Sequence, residues 1–168
     1  MSWFHGDSSP RGDFTDQRWD RDATVASLLE YGPGLYFTSD IDEARNYGGF
    51  VYEAELLPSF RLLPHRKPSL AKLREFYVLA SEEDREIFLS NWGVTAPAPI
   101  LKKYAHQDTL YDALVALYKD LFRSADEWVE AVRQLGYDGV VLHLSKREPP
   151  REYLIVWSPE RLRLTRVE

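Results

Sequence analysis

The sequence predicts an α+β domain in which strands at both ends flank a helical middle. Short β-branched and aromatic runs fall in residues 2–63 and 138–166, where apolar and polar positions alternate. Residues 69–135 instead carry helix-capping residues and apolar positions at helical spacing. At 168 residues the chain is long enough to bury a core without metal or disulfide support. It is therefore read as one domain, residues 1–168, with a helical insertion at about 69–135.

Residues 2–5 (Ser-Trp-Phe-His) read as a first strand ending at His5-Gly6. Residues 7–21 are polar and turn-rich, and read as loop; the embedded Arg11-Gly12-Asp13 is too short a match to a cell-adhesion tripeptide to carry weight. Val25, Leu28 and Leu29 sit at helical spacing within 23–31, with Gly32 as terminator. Gly32 and Gly34 then permit a reversal with positive φ, and 35–38 (Leu-Tyr-Phe-Thr) form a strand. Ser39 stands where an N-cap belongs, with Asp42 three residues on, and Gly48 is read as the glycine past the helix end. Tyr36 on the strand and Tyr47 at the end of the helix are thereby placed to face each other across a slot.

Phe50, Tyr52, Ala54 and Leu56 alternate along one face of the next strand, leaving Glu53 and Glu55 to solvent or ion pairs. Residues 60–63 are a shorter strand candidate. In the helical stretch, Ser81 and Gly93 bound one helix and Asp108 caps an apolar segment running to Phe122. Ser124 with Glu127 makes a capping box for a helix that Gly136 closes. Between them, 96–99 (Ala-Pro-Ala-Pro) reads as a stiff extended connector. Strands return at 138–144, 152–157 and 161–166, with a basic loop containing Lys146, Arg147 and Arg151 before the second of them. Strand alternation puts Glu152, Leu154 and Val156 on one face.

Composition narrows the chemistry. The absence of cysteine excludes a disulfide framework, a thiolate metal site and a thiol nucleophile, and fits a reducing, cytoplasmic setting. No apolar run approaches the roughly 20 residues that span a bilayer, and the N-terminal residues lack the basic region and apolar core of a Sec-type signal. A net charge of −6 argues against tight nonspecific nucleic-acid binding. An aromatic content of 14% leaves rings to line a ligand slot. There is no Walker A loop, GxSxG or HExxH, and the four histidines show no ligand spacing, so no metal is expected. Gly32-x-Gly34 lacks the third glycine and the βαβ context of a dinucleotide-binding turn.

What remains is an ordered set: His5-Gly6, Tyr36, Tyr47 and Glu152. Each alone has an ordinary explanation as a strand-end histidine, core or rim tyrosine, or solvated glutamate. Together they resemble the ADP-ribosyltransferase fold in its His-Tyr-Glu branch, the branch of diphtheria toxin and the poly(ADP-ribose) polymerases. His5-Gly6 is similar to the first motif. Gly34-Leu35-Tyr36-Phe37, with Asn46-Tyr47 eleven residues past Tyr36, is similar to the second. Glu152-Tyr153-Leu154-Ile155-Val156, followed by a Pro turn and a last strand, is similar to the third. Gly136-Tyr137-Asp138-Gly139 resembles small phage and bacterial members. The resemblance covers residues 2–63 and 136–166.

That resemblance implies a split antiparallel β core and an NAD⁺-dependent mono-ADP-ribosyltransferase acting on a protein or nucleic-acid acceptor. It implies Glu152 as the catalytic acid group, with His5 and Tyr36 also at the catalytic centre. Tyr36 and Tyr47 would sandwich the cationic nicotinamide, Gly6 would offer its backbone to the carboxamide, and His5 would hold the adenosine ribose. Arg151 in the basic loop would meet the pyrophosphate or an anionic acceptor. Three positions depart from the pattern. Asp7 follows Gly6 where Ser or Thr is common, leaving Ser8 or Ser9 to substitute. Ala44 stands where some polymerase-type members have a nicotinamide-binding serine. Pro150 replaces the Glu or Gln of arginine-modifying relatives, which disfavours arginine as acceptor. A monomer with no membrane partner is expected, and the same residues also admit an NAD⁺ glycohydrolase or a non-catalytic NAD⁺- or ADP-ribose-binding module. A tRNA 2′-phosphotransferase is disfavoured by the lack of an arginine-rich phosphate site.

Overall fold

A computed structural model describes residues 1–15, 31–144 and 150–168. Of the helix expected over 23–31 only Tyr31, in helical conformation, is described, and the basic residues Lys146 and Arg147 lie outside the described residues. The protein is α+β and divides into two compact units. One comprises Met1–Gln17, Gly34–Leu63 and Tyr137–Glu168; the other comprises Arg18–Pro33 and Pro64–Gly136.

The first unit is a sheet of β1 (Trp3–Asp7), β2 (Leu35–Thr38), β3 (Phe50–Leu56), β4 (Gly139–Leu144), β5 (Arg151–Val156) and β6 (Leu162–Arg166). Their spatial order is β4-β5-β2-β1-β3-β6, and all neighbours are antiparallel. On β5, Leu154, Ile155 and Val156 are all buried, so this interior strand is covered on both faces. β1 pairs with β3 over five positions but with β2 only at Phe4↔Thr38. Beyond that pair the two strands run without a ladder between them.

One short helix, α1 (Ile41–Arg45), follows β2. Its cap is Asp40 and not the expected Ser39. Ser39 is still held to the sheet, its N–H donating to the Glu152 carbonyl (3.3 Å), so the chain leaves β2 one residue later. Asp40 then accepts the Asp42 N–H at 2.9 Å. Asn46, in right-handed helical geometry, ends α1, so Gly48 is not a left-handed terminator. Glycine is needed at 48 because a Cβ there would overlap the backbone of Asp7. Residues 60–63 form no strand and contribute one isolated parallel bridge, Leu62↔Gly139. The polar stretch after β1 also hides a core residue: Phe14 is 1% exposed, edge-on to His5 and Tyr52.

The second unit contains α2 (Leu70–Tyr77), α3 (Glu82–Trp92), α4 (Ala98–Tyr104), α5 (Leu110–Asp120) and α6 (Ala125–Gln134). Ser69, Ser81, Thr109 and Ser124 each cap a helix by accepting a backbone N–H three residues on. Thr109, not Asp108, caps α5, because its side chain is the one that meets the Asp112 N–H. The connector at 96–99 is the start of α4 and not an extended segment. Pro97 lies at its cap with helical φ and ψ, and Pro99 occupies the first turn, where no N–H is required. Gly93 (φ 65°) and Gly136 (φ 95°) end their helices in the left-handed region. Trp128 is fully buried and its indole N–H donates to the Leu114 carbonyl at 2.8 Å, tying α6 to α5.

Candidate functional site

Every residue singled out from the sequence lies in the sheet unit. His5 and Gly6 are on β1, Tyr36 on β2, Ala44 on α1, Tyr47 just past α1, and Arg151 and Glu152 at the start of β5. Since the spatial order runs β5-β2-β1, the three motifs meet on adjacent strands.

His5 Nδ1 lies 2.7 Å from the Tyr36 carbonyl oxygen. A carbonyl can only accept, so Nδ1 carries a proton and donates. The bond joins β1 to β2 in the stretch where the ladder between them is missing. The ring itself packs between Phe14 (5.0 Å) and Phe37 (5.3 Å). Beside it, the Asp7 carboxyl is drawn down to about 2 by His5 first, then by the Ser9 N–H and the Arg11 guanidinium, against an opposing effect of burial. Arg11 Nε is 2.7 Å from Asp7. Ser8 is exposed.

Gly6 is buried, and a Cβ on it would overlap the carbonyl oxygen of Ala44, which is itself fully buried. The seating of α1 on β1 thus demands glycine at position 6 before any ligand is considered. Tyr47 stands out at 64% exposed. Tyr36 is half-buried, opposite Ile155 in the β2–β5 register.

Glu152 pairs with His143 across β4 and β5, and Oε1 of Glu152 lies 2.8 Å from Nδ1 of His143. The side chains are 30% and 58% exposed. Pleating sends Glu152 to one face of the sheet and Tyr36, whose partner is Ile155, to the other. The structure therefore joins Glu152 to His143 and joins His5 to the backbone of Tyr36. It does not put the Glu152 carboxylate and the Tyr36 ring on one face.

On the Tyr36 face lies a cluster that the sequence did not announce. Glu43 of α1 is buried, and both its oxygens are used. Oε2 accepts from the Thr38 hydroxyl (2.8 Å), while Oε1 accepts from Arg151 Nη1 (2.6 Å) and from the Tyr153 hydroxyl. Burial, then the bond to Glu43, pushes the Tyr153 hydroxyl up to about 12, so it remains a protonated donor. Arg151, assigned to the pyrophosphate or an anionic acceptor, is here engaged by Glu43. No spacing rule marks Glu43 as buried, because α1 is too short to show an apolar periodicity. The His143–Glu152 pair depends on a strand register that residue type and spacing alone do not fix.

No protein-family model matches the chain, and no curated protein matches it. Among solved structures it is similar to one titled as the crystal structure of an anti-CRISPR protein. Identity is 15% and the TM-score 0.40, over 99% of this chain and 95% of that one. A likeness this distant carries no argument.

Among the described residues no group of three or more His, Asp or Glu could hold a metal ion. No described helix is long and apolar enough to cross a membrane.

Proposed function

We propose that the chain is an NAD⁺-dependent mono-ADP-ribosyltransferase of the His-Tyr-Glu type, acting on a protein or nucleic-acid acceptor. The observation that supports this reading is the meeting of three motifs, distant in sequence, on the neighbouring strands β1, β2 and β5. The narrow β1–β2 pairing supports it further, since beyond Phe4↔Thr38 it leaves the strands beside His5 and Tyr36 without ladder bonds between them.

In the proposed reaction the C1′–N bond of NAD⁺ breaks and its electron pair goes to the pyridinium nitrogen, giving neutral nicotinamide. The ribosyl centre becomes oxocarbenium-like, as in glycoside cleavage. Glu152 binds the ribose hydroxyls and stabilises that charge. A lone pair of the acceptor then bonds C1′, and the acceptor's proton passes to solvent water. Tyr36 and Tyr47 stack on the nicotinamide, worth about 0.5–2 kcal/mol for a cation over a ring.

The test is nicotinamide release from NAD⁺ together with label transfer from NAD⁺ labelled in the adenylate to macromolecules of a cell lysate. Transfer is expected, and Glu152→Gln should reduce nicotinamide release by at least about a hundredfold. Undiminished release in that variant overturns the reading, and free ADP-ribose without labelled macromolecule indicates a glycohydrolase.

A second reading has its own support. His5 is packed between phenylalanines, and Gly6 is required by Ala44, so these residues are explained without catalysis. That favours a non-catalytic binding module of the same fold. NAD⁺ binding by calorimetry with no nicotinamide released would establish it.

A further inference from the structure

We propose that His143 is a positioning residue for Glu152, holding one carboxylate oxygen so that the other is presented to the ribose of NAD⁺. The inference rests on the transferase reading of Glu152 and adds a residue to it. His143 and Glu152 are directly opposite each other on β4 and β5, so the strand register itself brings the two side chains together on one face. Nδ1 of His143 is 2.8 Å from Oε1 of Glu152, and an ionised carboxylate only accepts, so the imidazole donates.

Glu152 is the second residue of β5, with almost a third of its side chain in solvent. A glutamate side chain has three torsions to fix, at an entropic cost, before its carboxylate meets a ribose hydroxyl. A donor fixed on the neighbouring strand removes that freedom before substrate arrives. Misplacing a reacting group by 1 Å costs on the order of a hundredfold in rate. The Glu43 cluster works on the adjoining residue: Arg151, immediately before Glu152, is tied to α1 through Glu43 at 2.6 Å. The start of β5 is thus restrained by α1 through Arg151 and by β4 through His143.

The test compares His143→Ala and His143→Asn with the parent chain in steady-state nicotinamide release. His143→Ala should lower kcat about tenfold or more with the KM for NAD⁺ nearly unchanged, since His143 is not assigned to NAD⁺ itself. His143→Asn, whose amide nitrogen reaches much the same point as Nδ1, should recover most of the loss. His143 is mostly exposed, so both variants should melt within a few degrees of the parent, and the melting temperature is recorded alongside. If His143→Ala keeps full kcat while Glu152→Gln is inactive, the inference is overturned and the transferase reading stands. Failure of His143→Asn to recover activity at parental stability also overturns it. If Glu152→Gln is as active as the parent, both fall together.

Discussion

Glu43 shows how much can rest on one side chain. It is a carboxylate removed from water, and its stability there comes from three donors: the hydroxyls of Thr38 and Tyr153 and the Arg151 guanidinium. Removing the acceptor strands all three, but not equally. The two hydroxyls are buried, whereas about a third of the Arg151 side chain faces solvent and can rehydrate. Leaving a buried donor unsatisfied costs about 1–3 kcal/mol. Glu43→Ala is therefore expected to lower the unfolding free energy by about 3 kcal/mol at neutral pH, read from urea denaturation. Arg151→Ala should cost about as much, since it leaves the buried carboxylate without its cationic partner. A clearly smaller loss in Arg151→Ala would show that the hydroxyl pair, and not the ion pair, holds Glu43 in place.

At the level of elements, the decisive contact is α1 seated on the C-terminal half of β1. Gly6 admits the Ala44 carbonyl and Gly48 admits the backbone of Asp7, so two glycines on opposite partners let helix and strand approach. A larger residue at Gly6 would displace α1 whatever Gly6 does for a ligand, and mutating it cannot isolate a ligand contact. The same end of β1 carries a pH dependence. Asp7 has its carboxyl lowered from 3.8 to about 2 in the folded protein. On acidification the unfolded chain takes up the proton first, so Asp7 stabilises the fold above pH ~4 and loses that effect between about 4 and 2. The contribution is about 2 kcal/mol at neutral pH. Asp7→Asn should lose it at pH 7 and show a flatter decline of stability below pH 4 in denaturant titrations at stepped pH. Much of this element was legible in the sequence: the strand at 35–38, the helix after it and Tyr47 beyond its end all follow from local propensity and capping. What was not legible is what tertiary contact decides. Ser39 loses its cap to Asp40 because the sheet keeps hold of the Ser39 N–H, and Gly48 is glycine for packing and not for φ. Phe14 is apolar within a polar run, too isolated for any periodicity to reveal it as core. The same limit explains the site. The ordered motifs could be read from residue type, but the pairing of His143 with Glu152 and the direction of Tyr36 depend on strand register.

Across the whole molecule, the residues with a proposed chemical role belong to the sheet unit, and the helical unit has a core of its own. Trp128 is central to that second core. It is fully buried, packs against Phe76 and Tyr118, and its indole N–H satisfies the Leu114 carbonyl. Replacing a buried Trp with Ala costs about 3–5 kcal/mol in lost burial and cavity formation, and here it also removes the indole bond between α6 and α5. Units that form separate contact networks can open separately, each with its own opening free energy. Trp128→Ala is therefore expected to strip hydrogen-exchange protection from α5 and α6 while the amides of β2, β3 and β5 stay protected, as read by exchange mass spectrometry under native conditions. Nicotinamide release by that variant, measured at a temperature where the sheet amides remain protected, should then stay near the parental value. Loss of protection in the strands at the same rate as in the helices would mean that the two units unfold as one. The proposed chemistry would then depend on the helical core as much as on the strands that carry His5, Tyr36 and Glu152.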